Sequence, residues 1–229
     1  MDLINHPSPN HDSREGQMID MLVLHYTGMQ TLQAAIARLT DPKAQVSAHY
    51  LVTVSGDLIC MVDEGERAWH AGVSYWRGAT NINSRSIGVE IENPGHENGY
   101  RPFSDIQMDA VTRLCSDILS RHSIPARNVV GHSDVAPTRK TDPGELFDWP
   151  RLAGDGIGIW PDNKAAIDPG KDFDATAELA RVGYNVSHIG AALTAFQRHF
   201  CPSNITSFAD KRTCQQLACV GGILIEPNA

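Results

Sequence analysis

The sequence predicts an α/β protein, with a mixed central β-sheet flanked by helices and a small three-helix unit at the C-terminal end. Three observations predict it. Apolar runs of strand length alternate with stripes of helical period through the first two thirds of the chain. A Gly, Pro and Asp-rich stretch then interrupts the pattern. Beyond it only helical periodicity returns. The division expected is a first domain over residues 1–162, a linker over 163–172 and a helical domain over 173–229.

Met21-Leu22-Val23-Leu24 is apolar enough for a buried strand and ends at His25-Tyr26-Thr27-Gly28. Leu32, Ile36 and Leu39 follow at helical spacing, and Asp41-Pro42 stops that helix. Residues 48–54 and 58–62 are apolar runs joined by Ser55-Gly56-Asp57, the signature of a hairpin. Residues 69–85 are rich in Gly, Ser and Asn around Trp69, Tyr75 and Trp76, as in a long loop lining a cleft. Ile87 to Glu92 alternates as a strand. Ser104 and Gln107 have capping-box spacing before a helix carrying Ile106, Ala110, Leu114 and Ile118. Val129-Val130-Gly131-His132 is a last strand, and residues 133–151 are expected as loop. In the C-terminal unit, Leu179 and Val182 suggest one helix, Ile189, Ala192, Leu193 and Phe196 a second, and residues 214–219 a third.

Hydrophobic residues at 41% and charged residues at 20% are the proportions of a chain that buries a core. A net charge of −8 argues against a nucleic-acid partner, which calls for clustered Lys and Arg. The five cysteines form no CxxC pair and are expected as thiols. No segment has the length and apolarity of a membrane span, so no membrane insertion is expected. Residues 1–17 are polar where a secretory signal would be apolar, which favours the cytoplasm, with the periplasm as alternative.

His25, His132 and Asp142 each stand at a strand end or in the loop beyond one. Two imidazoles and a carboxylate form a usual set for one catalytic Zn2+, with a coordination position left for water. Against this, ten histidines are present and most histidines bind no metal. Glu90 lies within an apolar strand, where a carboxylate is costly unless paired, solvated or functional. It reads as a general base, or else as a surface partner of Glu92. Lys140, two residues before Asp142, would stabilise an oxyanion, or be an ordinary solvated loop cation.

Five segments together decide between these readings. Val23-Leu24-His25-Tyr26-Thr27, Val46-Ser47-Ala48-His49-Tyr50, Arg67-Ala68-Trp69-His70-Ala71-Gly72, Ser86 to Asn93, and Gly131-His132-Ser133-Asp134-Val135-Ala136-Pro137 through Arg139-Lys140-Thr141-Asp142-Pro143-Gly144 resemble the N-acetylmuramoyl-L-alanine amidases of the AmpD and AmiD type. The resemblance runs over about residues 20–162, and it leans toward the AmiD branch at residues 76–80 and 156–162. The tail from about residue 173 resembles, more weakly, a three-helix peptidoglycan-binding module. The fold so implied is that of phage lysozyme-type amidases and peptidoglycan recognition proteins.

The resemblance implies zinc on His25, His132 and Asp142, with Glu90 and Lys140 as the catalytic pair. It implies hydrolysis of the amide between the muramic acid lactyl group and L-alanine, in peptidoglycan or in muropeptides, 1,6-anhydro or not. Trp69, His70 and Ala71 match a groove-lining, substrate-binding segment, with core packing as the alternative for Trp69. His49 is expected as a structural histidine or one behind the metal ligands. Gln45 stands where the cytosolic AmpD branch tends to carry Arg, which weakens any strict anhydromuropeptide preference. The competing classes are a non-catalytic peptidoglycan recognition protein, disfavoured because the ligand positions and Glu90 are filled, and an exported wall-lytic amidase.

Overall fold

The computed structural model describes residues 3–161 and 168–224. Its strands are β1 (Leu3–Asn5), β2 (His11–Ser13), β3 (Met21–Tyr26), β4 (Tyr50–Val52), β5 (Leu58–Cys60), β6 (Glu66–Ala68), β7 (Ser86–Ile91) and β8 (Val129–Gly131). The helices are α1 (Leu32–Thr40), α2 (Ile82–Arg85), α3 (Asp105–Arg121), α4 (His132–Val135), α5 (Trp149–Gly154), α6 (Ala175–Val182), α7 (Ile189–Phe200) and α8 (Lys211–Ile223). Six strands form one sheet in the order β1-β5-β4-β7-β3-β8, while β2 and β6 pair separately. The sheet is mixed: β3 runs parallel to both β7 and β8, and β4 and β5 form the antiparallel hairpin.

Strand alternation sorts the core into two sides. Leu22 and Leu24 of β3, with Ile87, Val89 and Ile91 of β7, face α3 and α5 in one apolar cluster. Met21 and Val23, with Val130 of β8, face the opposite way into a cluster completed by Leu179, Leu193, Phe196 and Leu217 of the C-terminal helices. α1 covers another part of that second face, with Ala35 and Leu39 packed against Leu51, Ile59 and Met61. Helices at both flanks leave the middle of this face open at the C-terminal ends of β3 and β7. In open α/β sheets that is where ligands bind.

Several local expectations change. Residues 3–13 carry two strands that their polar composition hid, because β1 is an exposed edge and β2 pairs only with β6. The expected loop over 133–151 contains the single turn of α4 and the start of α5. Ser104 does cap α3, accepting from Gln107 N at 3.3 Å, but the Gln107 amide donates instead to Glu92 O at 2.9 Å, so the box is not reciprocal. Residues 162–167, where the expected domain boundary and much of the linker fall, lie outside the described residues. The helices beyond them share an apolar cluster with the sheet. Among the described residues no disulfide joins the cysteines, and no helix is long and apolar enough to cross a membrane.

One strut was not expected at all. Arg14 is buried, and its guanidinium donates to four backbone carbonyls: Glu64 O at 2.7 Å, Asn83 O at 3.3 Å, Ser84 O at 2.9 Å and Ser86 O at 3.0 Å. Burial lowers its pKa to about 10, which leaves it charged at neutral pH. The N-terminal segment thereby anchors the start of β7.

Candidate active site

Strand register places the first two candidate groups together. His25 pairs with Glu90 across β3 and β7, and directly paired positions on neighbouring strands point to the same face. Ser86, Gly88 and Glu90 therefore share the face that carries His25. Gly88 makes room there: a Cβ on it would lie 2.4 Å from the His70 ring. No side chain larger than hydrogen fits while His70 keeps its place.

His132 opens α4 immediately after β8, and Asp142 returns from the following loop, where Ser133 N donates to Asp142 O at 2.8 Å. Three atoms converge. His25 Nδ1 lies 2.9 Å from His132 Nδ1 and 3.1 Å from Asp142 Oδ2, and His132 Nδ1 lies 3.0 Å from Asp142 Oδ2. All three residues are buried.

The hydrogen bonds behind this triangle assign its protons. Ser86 Oγ donates its one hydrogen to Ile82 O at 2.6 Å, so it accepts from His70 Nε2 at 3.1 Å. His70 Nδ1, left without a proton, accepts from His25 Nε2 at 3.1 Å. His25 Nδ1 then carries a lone pair. His132 Nε2 faces Ala71 O at 3.1 Å, and because a carbonyl only accepts, the tautomer that carries one proton has its lone pair on Nδ1.

Burial, then the neighbouring His132, lower His25 to about 4, and burial with the adjacent His25 holds His70 well below the ordinary imidazole value. Burial alone would raise the Asp142 carboxyl, but the two imidazoles beside it outweigh that and hold Asp142 far below the usual carboxylate range. Two imidazole nitrogens and a carboxylate oxygen thus converge within 3.1 Å of one another, three atoms that can each offer a lone pair. Such an arrangement calls for a cation, and two His and one Asp are donors that zinc takes at about 2.0–2.2 Å.

A cleft of about 460 Å³ opens over the triangle. Glu90, Lys140, His132 and Asp142 line it, with Arg38 and Leu39 of α1 on one side and residues 94–97 on another. Glu90 keeps some surface toward this cleft, yet its Oε2 is enclosed and has no hydrogen-bond partner. Burial, reinforced by the charge of Asp142, raises the Glu90 carboxyl well above its ordinary value. A carboxyl so placed can hold a proton and pass it on.

The sequence profile of the N-acetylmuramoyl-L-alanine amidases matches residues 15–145. The N-acetylmuramoyl-L-alanine amidase AmiD of Escherichia coli K12 is 40% identical over 222 residues, covering 85% of this chain and 79% of its own. The chain belongs to the N-acetylmuramoyl-L-alanine amidase family. The 1,6-anhydro-N-acetylmuramyl-L-alanine amidase AmpD of Enterobacter cloacae is 34% identical over 164 residues, covering 64% of this chain and 86% of its own. Among solved structures, E. coli AmiD in complex with the substrate anhydro-N-acetylmuramic acid-L-Ala-D-γ-Glu-L-Lys matches at a TM-score of 0.77 and 38% identity, over 91% of this chain and 89% of that one. Pseudomonas aeruginosa AmpDh3 matches at 0.81 and 31% identity, over 94% of each chain.

Within this amidase the five motifs divide by position. His25, His132 and Asp142 form the triangle, and Glu90 and Lys140 face the cleft above it. Of the groove segment expected to bind substrate, His70 lines the cleft and Trp69 and Ala71 do not. Ala71 is fully buried, and its carbonyl accepts from both His132 Nε2 and, at 2.9 Å, Arg139 Nη2, so it braces the site from behind. His70 reaches the cleft wall, but both ring nitrogens are engaged inward on His25 and Ser86. Trp69 is half-buried and does not line the cleft, while its backbone N donates to Ser47 Oγ at 2.9 Å. This segment runs on from β6, with His70 hydrogen-bonded to His25 and the Ala71 carbonyl to His132.

His49 is structural. Its Nδ1 accepts from Gly88 N at 2.9 Å, and burial, then the charge of Arg14, lower it to about 3. Ser86 and Arg139 are supports that sequence reasoning missed.

Proposed function

We propose that this chain is a zinc-dependent N-acetylmuramoyl-L-alanine amidase that cleaves the amide between the lactyl group of N-acetylmuramic acid, or its 1,6-anhydro form, and L-alanine of the stem peptide. Its place is in peptidoglycan turnover or recycling. The observation that carries this reading is the convergence of His25 Nδ1, His132 Nδ1 and Asp142 Oδ2 on one point under Glu90 in one cleft. The substrate named for the similar AmiD complex supports the choice of amide.

Zinc held by those three residues would supply Lewis acidity toward the carbonyl and a water acidified to a pKa of about 7. Glu90 takes a proton from the attacking water. It then returns that proton to the departing L-alanine amine, which leaves as a neutral amine instead of an amide anion. The raised Glu90 carboxyl suits the second task, because a group that holds its proton near neutral pH can donate it there. Lys140, on the same wall, donates to the carbonyl oxygen as negative charge gathers on it.

Incubating the zinc-loaded protein with anhydromuramoyl tripeptide is expected to release a peptide with a free L-alanine amino terminus, detected by mass spectrometry. Cleavage at another bond, or none, contradicts the reading. Rates on soluble 1,6-anhydro-muropeptides and on intact sacculi then separate recycling from wall lysis. Lys140→Met is expected to lower kcat by about 10²–10³-fold with little change in KM, the signature of a donor used in the transition state. Unchanged turnover would return Lys140 to the status of a loop cation.

A further inference from the structure

Behind α4, on the side away from the cleft, lies a buried polar cluster that the reaction does not use. Asp134, only 1% exposed, accepts three hydrogen bonds: from Gly131 N at 2.7 Å, from Tyr184 Oη at 2.6 Å and from His199 Nδ1 at 2.7 Å. Tyr184 follows α6 and His199 lies on α7, so both donors come from the C-terminal helices. Neither is loosely held. The His199 ring is stacked between Trp149, at 3.8 Å between centroids, and Phe200, at 3.9 Å. Tyr184 is buried edge-on against Trp76 at 5.1 Å.

What Asp134 holds is the turn that bears the site. α4 has four residues, far too few to be stable alone. Its first residue is His132, and its second, Ser133, donates its backbone N–H to Asp142 O. One short turn therefore sets a side-chain ligand and the backbone of another. It is anchored by Tyr75 N, which donates to Val135 O at 2.8 Å, and by the Asp134 bonds, two of whose three reach across to the C-terminal unit.

We propose that Tyr184 and His199 are positioning residues for the metal site. They act through Asp134 to fix the angle of α4, so that the C-terminal helices are a working part of the catalytic unit, whatever else they bind. The inference rests on the zinc reading given above. A support of this kind typically contributes about 10–100-fold in metal affinity.

The test uses the full chain in three variants. Tyr184→Phe removes one hydroxyl, and His199→Phe removes the ring nitrogens while keeping a stacked ring. Leu217→Ala loosens the same helices, since Leu217 is buried among them, without touching Asp134. Zinc affinity is read by competition with a chromophoric chelator, well below each variant's melting temperature. Tyr184→Phe and His199→Phe are each expected to weaken zinc binding by about tenfold or more. They should lower kcat more than they change KM. Leu217→Ala should lower the melting temperature yet keep wild-type zinc affinity. If the two ring variants bind zinc as tightly as wild type, or Leu217→Ala weakens it equally, the positioning role is overturned and the metal reading stands. If the wild-type chain binds no zinc, the metal reading falls and this inference with it.

Discussion

Glu90→Gln is expected to lower kcat for amide cleavage by about 10²–10⁴-fold while zinc stays bound, because glutamine keeps the shape of the side chain but cannot relay a proton. The same change has a second effect that separates catalysis from folding. Burial and the Asp142 charge raise the Glu90 carboxyl in the folded protein, so its ionised form opposes folding. A carboxyl with a raised folded pKa carries that penalty above its unfolded pKa, near 4.3, and loses it below. Metal-free Glu90→Gln should therefore melt higher than metal-free wild type at pH 7.5, by about 2–4 °C for each kcal/mol relieved, and the gap should close near pH 4. An inactive variant that is also less stable at pH 7.5 would mean that Glu90 is a packing residue.

His132→Ala has the other large effect. It removes one corner of the triangle and leaves His25 Nδ1 and Asp142 Oδ2 facing each other at 3.1 Å with no second imidazole. Loss of an outer partner costs about 10–100-fold in metal affinity, and loss of a ligand itself should exceed that range and bring turnover to background. The pH dependence follows from the same proton assignment. His25 must be neutral to offer Nδ1, and its pKa falls from the usual 6.5 to about 4. Between those values the unfolded chain binds a proton that the folded chain refuses. The His25 contribution to metal-free stability therefore grows as pH rises from about 4 to about 6.5 and is constant above. Zinc dialysed from wild type at stepped pH should be retained well below pH 6. Loss of the bound zinc already by pH 6.5 would contradict this expectation.

The residues that stand at strand ends were legible in the sequence because two signals coincide there. An apolar run identifies a buried strand, and a polar residue that terminates it, such as His25 or His132, has no structural reason to be at that depth. Glu90 stood out for the same reason. The central strands, α1, α3 and the three C-terminal helices followed from periodicity alone. Supports that depend on distant partners left no local pattern. Arg14 sits in a polar segment, and only the fold reveals that it ends at the start of β7. Asp134 reads as an ordinary first-turn acid until Tyr184 and His199 arrive, 50 and 65 residues later. The inward hydrogen bonds of His70 to His25 and of Ala71 O to His132 were equally hidden, because register and the Gly88 gap decide which way that segment faces.

The most direct test of the account is zinc stoichiometry coupled to turnover. Protein stripped with a strong chelator should lose amide cleavage, regain it on addition of one equivalent of zinc per chain, and fail to regain it when His132 is alanine. Full activity in the stripped wild type, or zinc uptake by His132→Ala equal to that of wild type, would contradict it.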